Sequence, residues 1–415
     1  MQVDTQATNP AQYVEQQIAQ APADLKECWE KLGKSYERKL WHNITILLDD
    51  FTSNPSSAPY LISLFDKLTT PYTTTTSFVH PIEDKLNPLK LVKFTMQVGR
   101  QYQDPASILN FYQTVHSRLA DPNPPADSEP STGMSKARPP PPAAEAYALS
   151  LSALAYAQLL NHMLDESKKS LDQCEEILAG LDDVEPAVNA GLYGVSADYY
   201  KVKADYVAYY KASLLYLACI NLDGQSKEDL VSRAHDLSIA ALLGETTYNF
   251  GELLQHPLLN ALDDSPYKWI KDLLFVFNAG DIGQYEVLSQ RLHEESILAN
   301  DQDFLRQKIC LMALMEAVFK RPRSQRNMSF QTIASETKLP MHEVEHLVMK
   351  ALSLNLIKGS IDQVNSIADI HWVQPRVLDN SQTQALLDRL DQWAAHVGVV
   401  GDEVASYKQP FAVSV

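Results

Sequence analysis

The chain has 415 residues, 45% of them apolar, with 35 Lys and Arg against 52 Asp and Glu, a net charge of −17. This composition excludes a disordered polymer and supports two or three domains with a large buried core. The acidic balance argues against a grip on nucleic-acid phosphate. No apolar run approaches the roughly 20 residues a membrane helix needs; the longest, Ala212 to Ile220, reads as a buried helix turn. The N-terminus is polar rather than signal-like. Four scattered cysteines, Cys28, Cys174, Cys219 and Cys310, form no metal-type pair and suit the reducing cytoplasm or nucleus.

The first predicted element is a long helix capped by Asp24 and carrying Leu25, Trp29, Leu32, Tyr36, Leu40 and Ile44 at helical spacing. Within it, Trp29, Leu32, Gly33 and Tyr36 match the first helix of a tetratricopeptide repeat. The match stops there, because Thr45 and Asp49 stand where small and aromatic residues belong. Further helices are expected over Pro59 to Leu68, Glu83 to Gln97 and Pro105 to Leu119. Residues 1–120 therefore read as a solenoid of helical hairpins. Asp121 to Glu145 holds eight of the 23 prolines and reads as a solvated loop that cannot pack.

The solenoid resumes over 146–265, with helices at Ala146 to Met163, Asp165 to Leu178, Val188 to Leu222 and Ser226 to Leu243. The third carries Tyr193, Tyr199, Tyr200, Tyr206, Tyr209, Tyr210 and Tyr216 among lysines. Their helical spacing favours tyrosines packed between helices over a stacking platform for single-stranded nucleic acid. Three helices follow: Pro266 to Asn278, one capped by Asp281 that runs through Leu292, and one capped by Asp301 that runs through Phe319. The last is apolar around much of its circumference, which predicts cover on two sides.

Ser329 to Gln374 has the pattern of a winged helix. Ser329 caps a short helix with Ile333 and Ala334 inward, and Lys338-Leu339-Pro340 makes the turn. A second helix, Met341 to Leu354, repeats Val344, Leu347, Val348, Ala351 and Leu352 on one stripe. Leu356 to Ile361 and Ile370 to Val373 read as strands of a hairpin. The would-be recognition helix presents His342, Glu343, Glu345, His346 and Lys350 outward, a poor phosphate surface. The basic run Lys320-Arg321-Pro322-Arg323, with Arg326, is the only counterweight to a protein-binding role. A terminal helix, Ser381 to His396, carries Leu386, Leu387, Leu390, Trp393 and Val397 on one face, followed by a tail over 401–415.

Catalytic signatures are weak. His342 to His346 spells H-E-x-x-H, which in a zinc hydrolase pairs two imidazoles one helical turn apart with a water-activating glutamate. Here no later His or Glu at a familiar spacing offers a third ligand, and a polar outer helix face explains the same letters. Gly33-Lys34-Ser35 lacks the upstream glycine of a phosphate loop. The reading is of no enzyme, no cofactor and no metal.

A helical solenoid running into a winged helix and a terminal helix resembles the PCI domain. Glu343 to Ser353, Ile357 to Asp362 and Trp372 to Asp379 are similar to the non-ATPase subunit 13 type of the proteasome regulatory-particle lid. The expected fold is mostly α: a right-handed, TPR-like α-solenoid, then a PCI module over 266–380 with its winged helix at 328–375, then a docking helix over 381–400. The resemblance implies a structural subunit of a hetero-oligomeric complex supporting ubiquitin-dependent degradation. Its partners would be other PCI-domain lid subunits and the lid helical bundle, without nucleic acid or membrane, and a ubiquitin receptor at the solenoid tip is left open. Two surfaces are expected to carry assembly. One is the hairpin edge, Ile357, Lys358, Gly359, Ser360, Ile361 and Trp372. The other is the stripe Leu386, Leu387, Leu390, Trp393 and Val397. The alternatives are a winged-helix regulator that binds nucleic acid, and a PCI scaffold of a signalosome or translation initiation factor.

Overall fold

A computed structural model describes residues 23–53, 57, 59–61, 86–119, 141–221, 225–322, 325–377 and 380–408. The chain divides into two compact units, Met1–Asn221 and Leu222–Val415.

In the first unit, α1 (Ala23–Glu37) and α2 (Trp41–Ser53) form a hairpin. The single long helix expected through Ile44 is therefore two. The break falls at Lys39, which takes a left-handed φ of 55°. Asp24 lies inside the first turn of α1, not at its cap. Trp29 and Phe51 meet edge to face at 5.2 Å, and with Leu25, Leu32, Ile44 and Leu48 they close a core between the two helices. The helix expected over Pro59 to Leu68 lies largely outside the described residues.

Next come α3 (Pro88–Gly99), capped by Asn87, and α4 (Pro105–Arg118). They are followed by α5 (Pro141–Leu160), α6 (Leu164–Ala179), α7 (Pro186–Lys203) and α8 (Tyr206–Cys219). Residues 141–145, expected in the proline-rich loop, belong to α5; the rest of that loop lies outside the described residues. Proline at the first helical positions fits, because the missing N–H would be unsatisfied there anyway. Successive helices pack on one another from α3 to α8, as in a solenoid. The core between them is built from small and aliphatic side chains of α5, including Ala146, Leu149, Ala153 and Ala157.

The helix expected over Val188 to Leu222 is also a hairpin. Ala204 turns the chain with φ 57°, and the Asp205 carboxylate accepts the Ala208 N–H to start α8. Sequence periodicity continues through such a break because both helices bury the same kind of face. The tyrosines of α7 and α8 are all buried or half-buried, with Tyr199 and Tyr200 in edge contact at 5.4 Å. That packing accounts for them without a ligand.

The second unit opens with α9 (Lys227–Leu243), capped by Ser226. A short α10 (Gly251–Gln255) follows, then α11 (Lys268–Ala279), α12 (Ile282–Leu288), α13 (Ser296–Asn300) and α14 (Gln302–Phe319). Asp281 caps α12 through the N–H groups of Gly283 and Gln284. Asp301 precedes α14 but makes no side-chain cap bond. Gly280 ends α11 at φ 68°, where a Cβ would stand 2.7 Å from Ala313 Cα, so only glycine lets α11 and α14 cross this closely.

Helix α14 is the axis of this unit, and packs against α9, α11, α12 and the winged helix. Its Lys308 is 1% exposed. The ammonium donates to the carbonyls of Ala241, Leu242 and Gly244 at 2.7–2.9 Å, capping the C-terminus of α9. The rings of Tyr248, Phe250 and Phe304 surround it within 5.8 Å. Burial pushes its pKa down to about 7.

The winged helix comprises β1 (Asn327–Ser329), α15 (Phe330–Thr337), α16 (Met341–Ser353), β2 (Ile357–Asp362) and β3 (Ile367–Val373). The Ser329 hydroxyl accepts the Thr332 N–H as expected. The unexpected strand β1 pairs antiparallel with β3 and gives the order β1-β3-β2. Three residues are too short for a period-two pattern to register. The last described element is α17 (Asn380–Lys408), which runs well past the expected stop at His396 and takes in residues 401–408 of the supposed tail.

Candidate functional site

Two surfaces meet the requirements of a docking site: the outer face of the winged helix and the length of α17. On the winged helix, β2 is a free edge strand of the sheet. Ile357 is only 1% exposed and belongs to the module core, so it offers backbone rather than side chain. Lys358 and Ser360 face outward and Ile361 is half-buried. Gly359 lies at a bulge, between Lys358 paired with Trp372 and Gly359 paired with Ile370. A Cβ there would collide with the Asp369 carbonyl, which explains why glycine is needed at this position.

Trp372 lies on β3 and pairs with Lys358 of β2, beyond the stretch Ile367–Asp369 that β1 pairs with. The Lys358 ammonium sits 4.8 Å above the Trp372 ring. The bulge and this lysine guard the edge against indiscriminate strand pairing. At the wing tip the Asp362 carboxylate accepts from the backbone and side-chain N–H groups of Asn365, which hold its pKa below the usual carboxylate range.

On α16, Val344, Leu347, Val348 and Ala351 face the core, while His342, Glu343, His346 and Lys350 lie exposed and Glu345 half-buried. Among the described residues no group of three His, Cys, Asp or Glu is placed to hold a metal ion. In the basic run, Lys320 pairs with Glu316 at 3.6 Å and Arg321 with Glu336 at 3.2 Å, while Arg323 lies outside the described residues. Local carboxylates thus already neutralise two of the charges that a phosphate backbone would need.

Helix α17 is the larger surface. Leu386, Leu387, Leu390, Trp393 and Val397 are all 44–67% exposed, and the structure adds Val400 and Val404 at 57% and 54%. Leu386, Leu390, Trp393, Val397, Val400 and Val404 step by four and three residues alternately, the spacing of a coiled-coil seam. Sequence reasoning lost the last two because Gly398 and Gly401 interrupt the helix pattern, each at a cost of about 1 kcal/mol. A Cβ on either glycine would meet nothing within 4 Å. Extending the four-three step past Val397 would have found them.

Comparisons with known proteins agree with this architecture. Residues 28–274 match the family described as PSD13 N-terminal repeats, and residues 285–372 match the PCI domain. The probable 26S proteasome regulatory subunit rpn9 of Schizosaccharomyces pombe is 36% identical, with 95% of this chain and 96% of the relative covered. The 26S proteasome non-ATPase regulatory subunit 13 of Dictyostelium discoideum is 35% identical over 92% and 94% of the two chains. The 26S proteasome regulatory subunit RPN9 of Saccharomyces cerevisiae is 34% identical over 94% and 95%.

Proposed function

The chain belongs to the family of 26S proteasome non-ATPase regulatory subunit 13, and from that membership we propose that it is a non-catalytic scaffold of the proteasome lid, held in place by α17 and the β2 edge. The observation that carries this reading is the seam on α17. An apolar stripe running from Leu386 to Val404 stands exposed along its whole length. A stripe of this kind in water is a cost that a partner helix removes. Burying six such side chains, already about half covered, is worth on the order of 5–10 kcal/mol gross, comparable with the entropy of docking.

The partner is a helix with a matching apolar seam, which a bundle of terminal helices from sister subunits would provide. The β2 edge supplies a second contact through its free backbone groups, with other PCI-domain subunits as the proposed neighbours. The acidic chain favours basic neighbours during encounter. Its four thiols are free, as the cytoplasm or nucleus keeps them. No helix among the described residues is long and apolar enough to cross a membrane.

The test is incorporation. Leu390→Asp with Trp393→Ala should abolish co-migration with the assembled regulatory particle on native gels while leaving the far-ultraviolet helical signal intact. Normal incorporation of that variant would remove α17 as the docking element.

A further inference from the structure

The segment between the winged helix and α17 is bolted to the second unit. The Gln374 N–H donates to the Leu356 carbonyl at 2.8 Å. Arg376 turns inward, its side chain 6% exposed, and donates from Nη1 to Glu316 Oε2 at 2.5 Å. Its Nη2 donates to both the backbone carbonyl and Oδ1 of Asn278, each at 2.7 Å. The Val377 N–H reaches Asn249 Oδ1 at 3.4 Å, and its side chain lies against Gly251, where a Cβ would collide with it. Three separate elements are therefore gripped within four residues: α14 through Glu316, the end of α11 through Asn278, and the start of α10 through Asn249 and Gly251.

Such a construction is more than folding the winged helix requires. A buried guanidinium pays a desolvation cost that an apolar side chain would not. In return, its planar fork fixes two directions at once. Only four residues after this fork, α17 begins at Asn380. We propose that Arg376, with Glu316 and Asn278, is a positioning residue for assembly: the clamp sets the direction in which α17 leaves the PCI module and so pre-orients its seam. This inference rests on the docking role of α17. Its physical basis is that a helix held in its bound orientation loses less rotational freedom when it docks.

The test uses the full chain, with Cys28→Ser and Cys219→Ser, and with spin labels on cysteines introduced at the exposed positions Glu286 and Asp391. The intact clamp should give a narrow interlabel distance distribution. Arg376→Met with Glu316→Gln removes both charges, so that neither is left buried alone. This pair should keep the helical signal, broaden the distribution and lower incorporation into the regulatory particle about tenfold or more. If the pair fails to fold, Arg376→Lys replaces it; a lysine keeps one charge on Glu316, loses the fork to Asn278, and should show the same broadening and loss. A broad distribution with the clamp intact, an unchanged distribution in the variant, or undiminished incorporation would each overturn the proposal. Leu390→Asp with Trp393→Ala, measured in parallel, separates the two ideas. It should keep the narrow distribution while losing incorporation, and its normal incorporation would instead sink the docking reading.

Discussion

Helices α14 and α17 are both long, both carry repeated apolar side chains, and both lie in the second unit, yet they meet opposite environments. In α14 every residue from Lys308 to Val318 is buried. In α17 the seam from Leu386 to Val404 is exposed throughout. α14 is covered by helices of its own chain on more than one side, so its apolar area stabilises the fold. In α17 the apolar face stays exposed among the described residues, so under the proposed function its apolar area is available to a partner. The same hydrophobic effect would then serve stability in one helix and association in the other, and surroundings decide which.

That contrast can be broken at several points. The largest effect is expected at Lys308→Met, which removes the buried ammonium donor from three carbonyls at the end of α9. Unfolding in urea should show a loss of about 3–5 kcal/mol. A neutral result would mean that the cage of carbonyls and rings can close over an apolar side chain.

Leu314→Ala and Leu390→Ala then form a matched pair. Leu314 is 0% exposed and Leu390 55% exposed. The first should cost about 2–5 kcal/mol in the free chain and the second within about 0.5 kcal/mol. In an incorporation assay Leu390→Ala should show its deficit even though the free chain melts normally. Equal costs in the free chain would show that α17 is packed in solution, contrary to the exposure of its seam.

The smallest effect concerns pH. His235 lies 3.5 Å from Asp236 and 3.0 Å from Glu295, with its ring against Tyr267. Asp236, and then Glu295, hold its pKa above the ordinary 6.5 against partial burial. A raised folded-state pKa means this contribution is complete below the unfolded value and fades as pH climbs through the folded one. Relative to His235→Gln, the chain should therefore lose melting temperature slightly from about pH 6 to about pH 8, because the rise that Lys308 contributes above its pKa of about 7 is common to both proteins and cancels in the difference.

Much of the fold was readable because helices advertise themselves locally. The caps expected at Asp281 and Ser329 bond first-turn N–H groups, whereas Asp24 lies inside its helix and Asp301 makes no side-chain cap bond. The stripe Val344, Leu347, Val348 and Ala351 is buried as its spacing required. The two helix pairs that read as single helices share one cause. Lys39 and Ala204 turn the chain with positive φ although neither is glycine, so the hairpins at Trp41 and Tyr206 left no turn signature. Strand β1 exists only because β3 lies beside it. On the candidate surfaces, the stripe to Val397 was legible, but Val400 and Val404 were hidden behind glycines.

Periodicity, charge and caps follow from neighbours along the chain. The amino-acid order alone therefore determined that this is a helical, acidic protein ending in a winged helix and a terminal helix with one apolar face. Which faces stay uncovered, which strand lies in the middle and where Arg376 anchors the exit depend on residues tens to nearly a hundred positions apart. Asn278 and Arg376 are separated by 98 residues, and only folding brings them to 2.7 Å. A contact of that range leaves no local pattern, because the energy that selects it belongs to the packed whole and not to the segment.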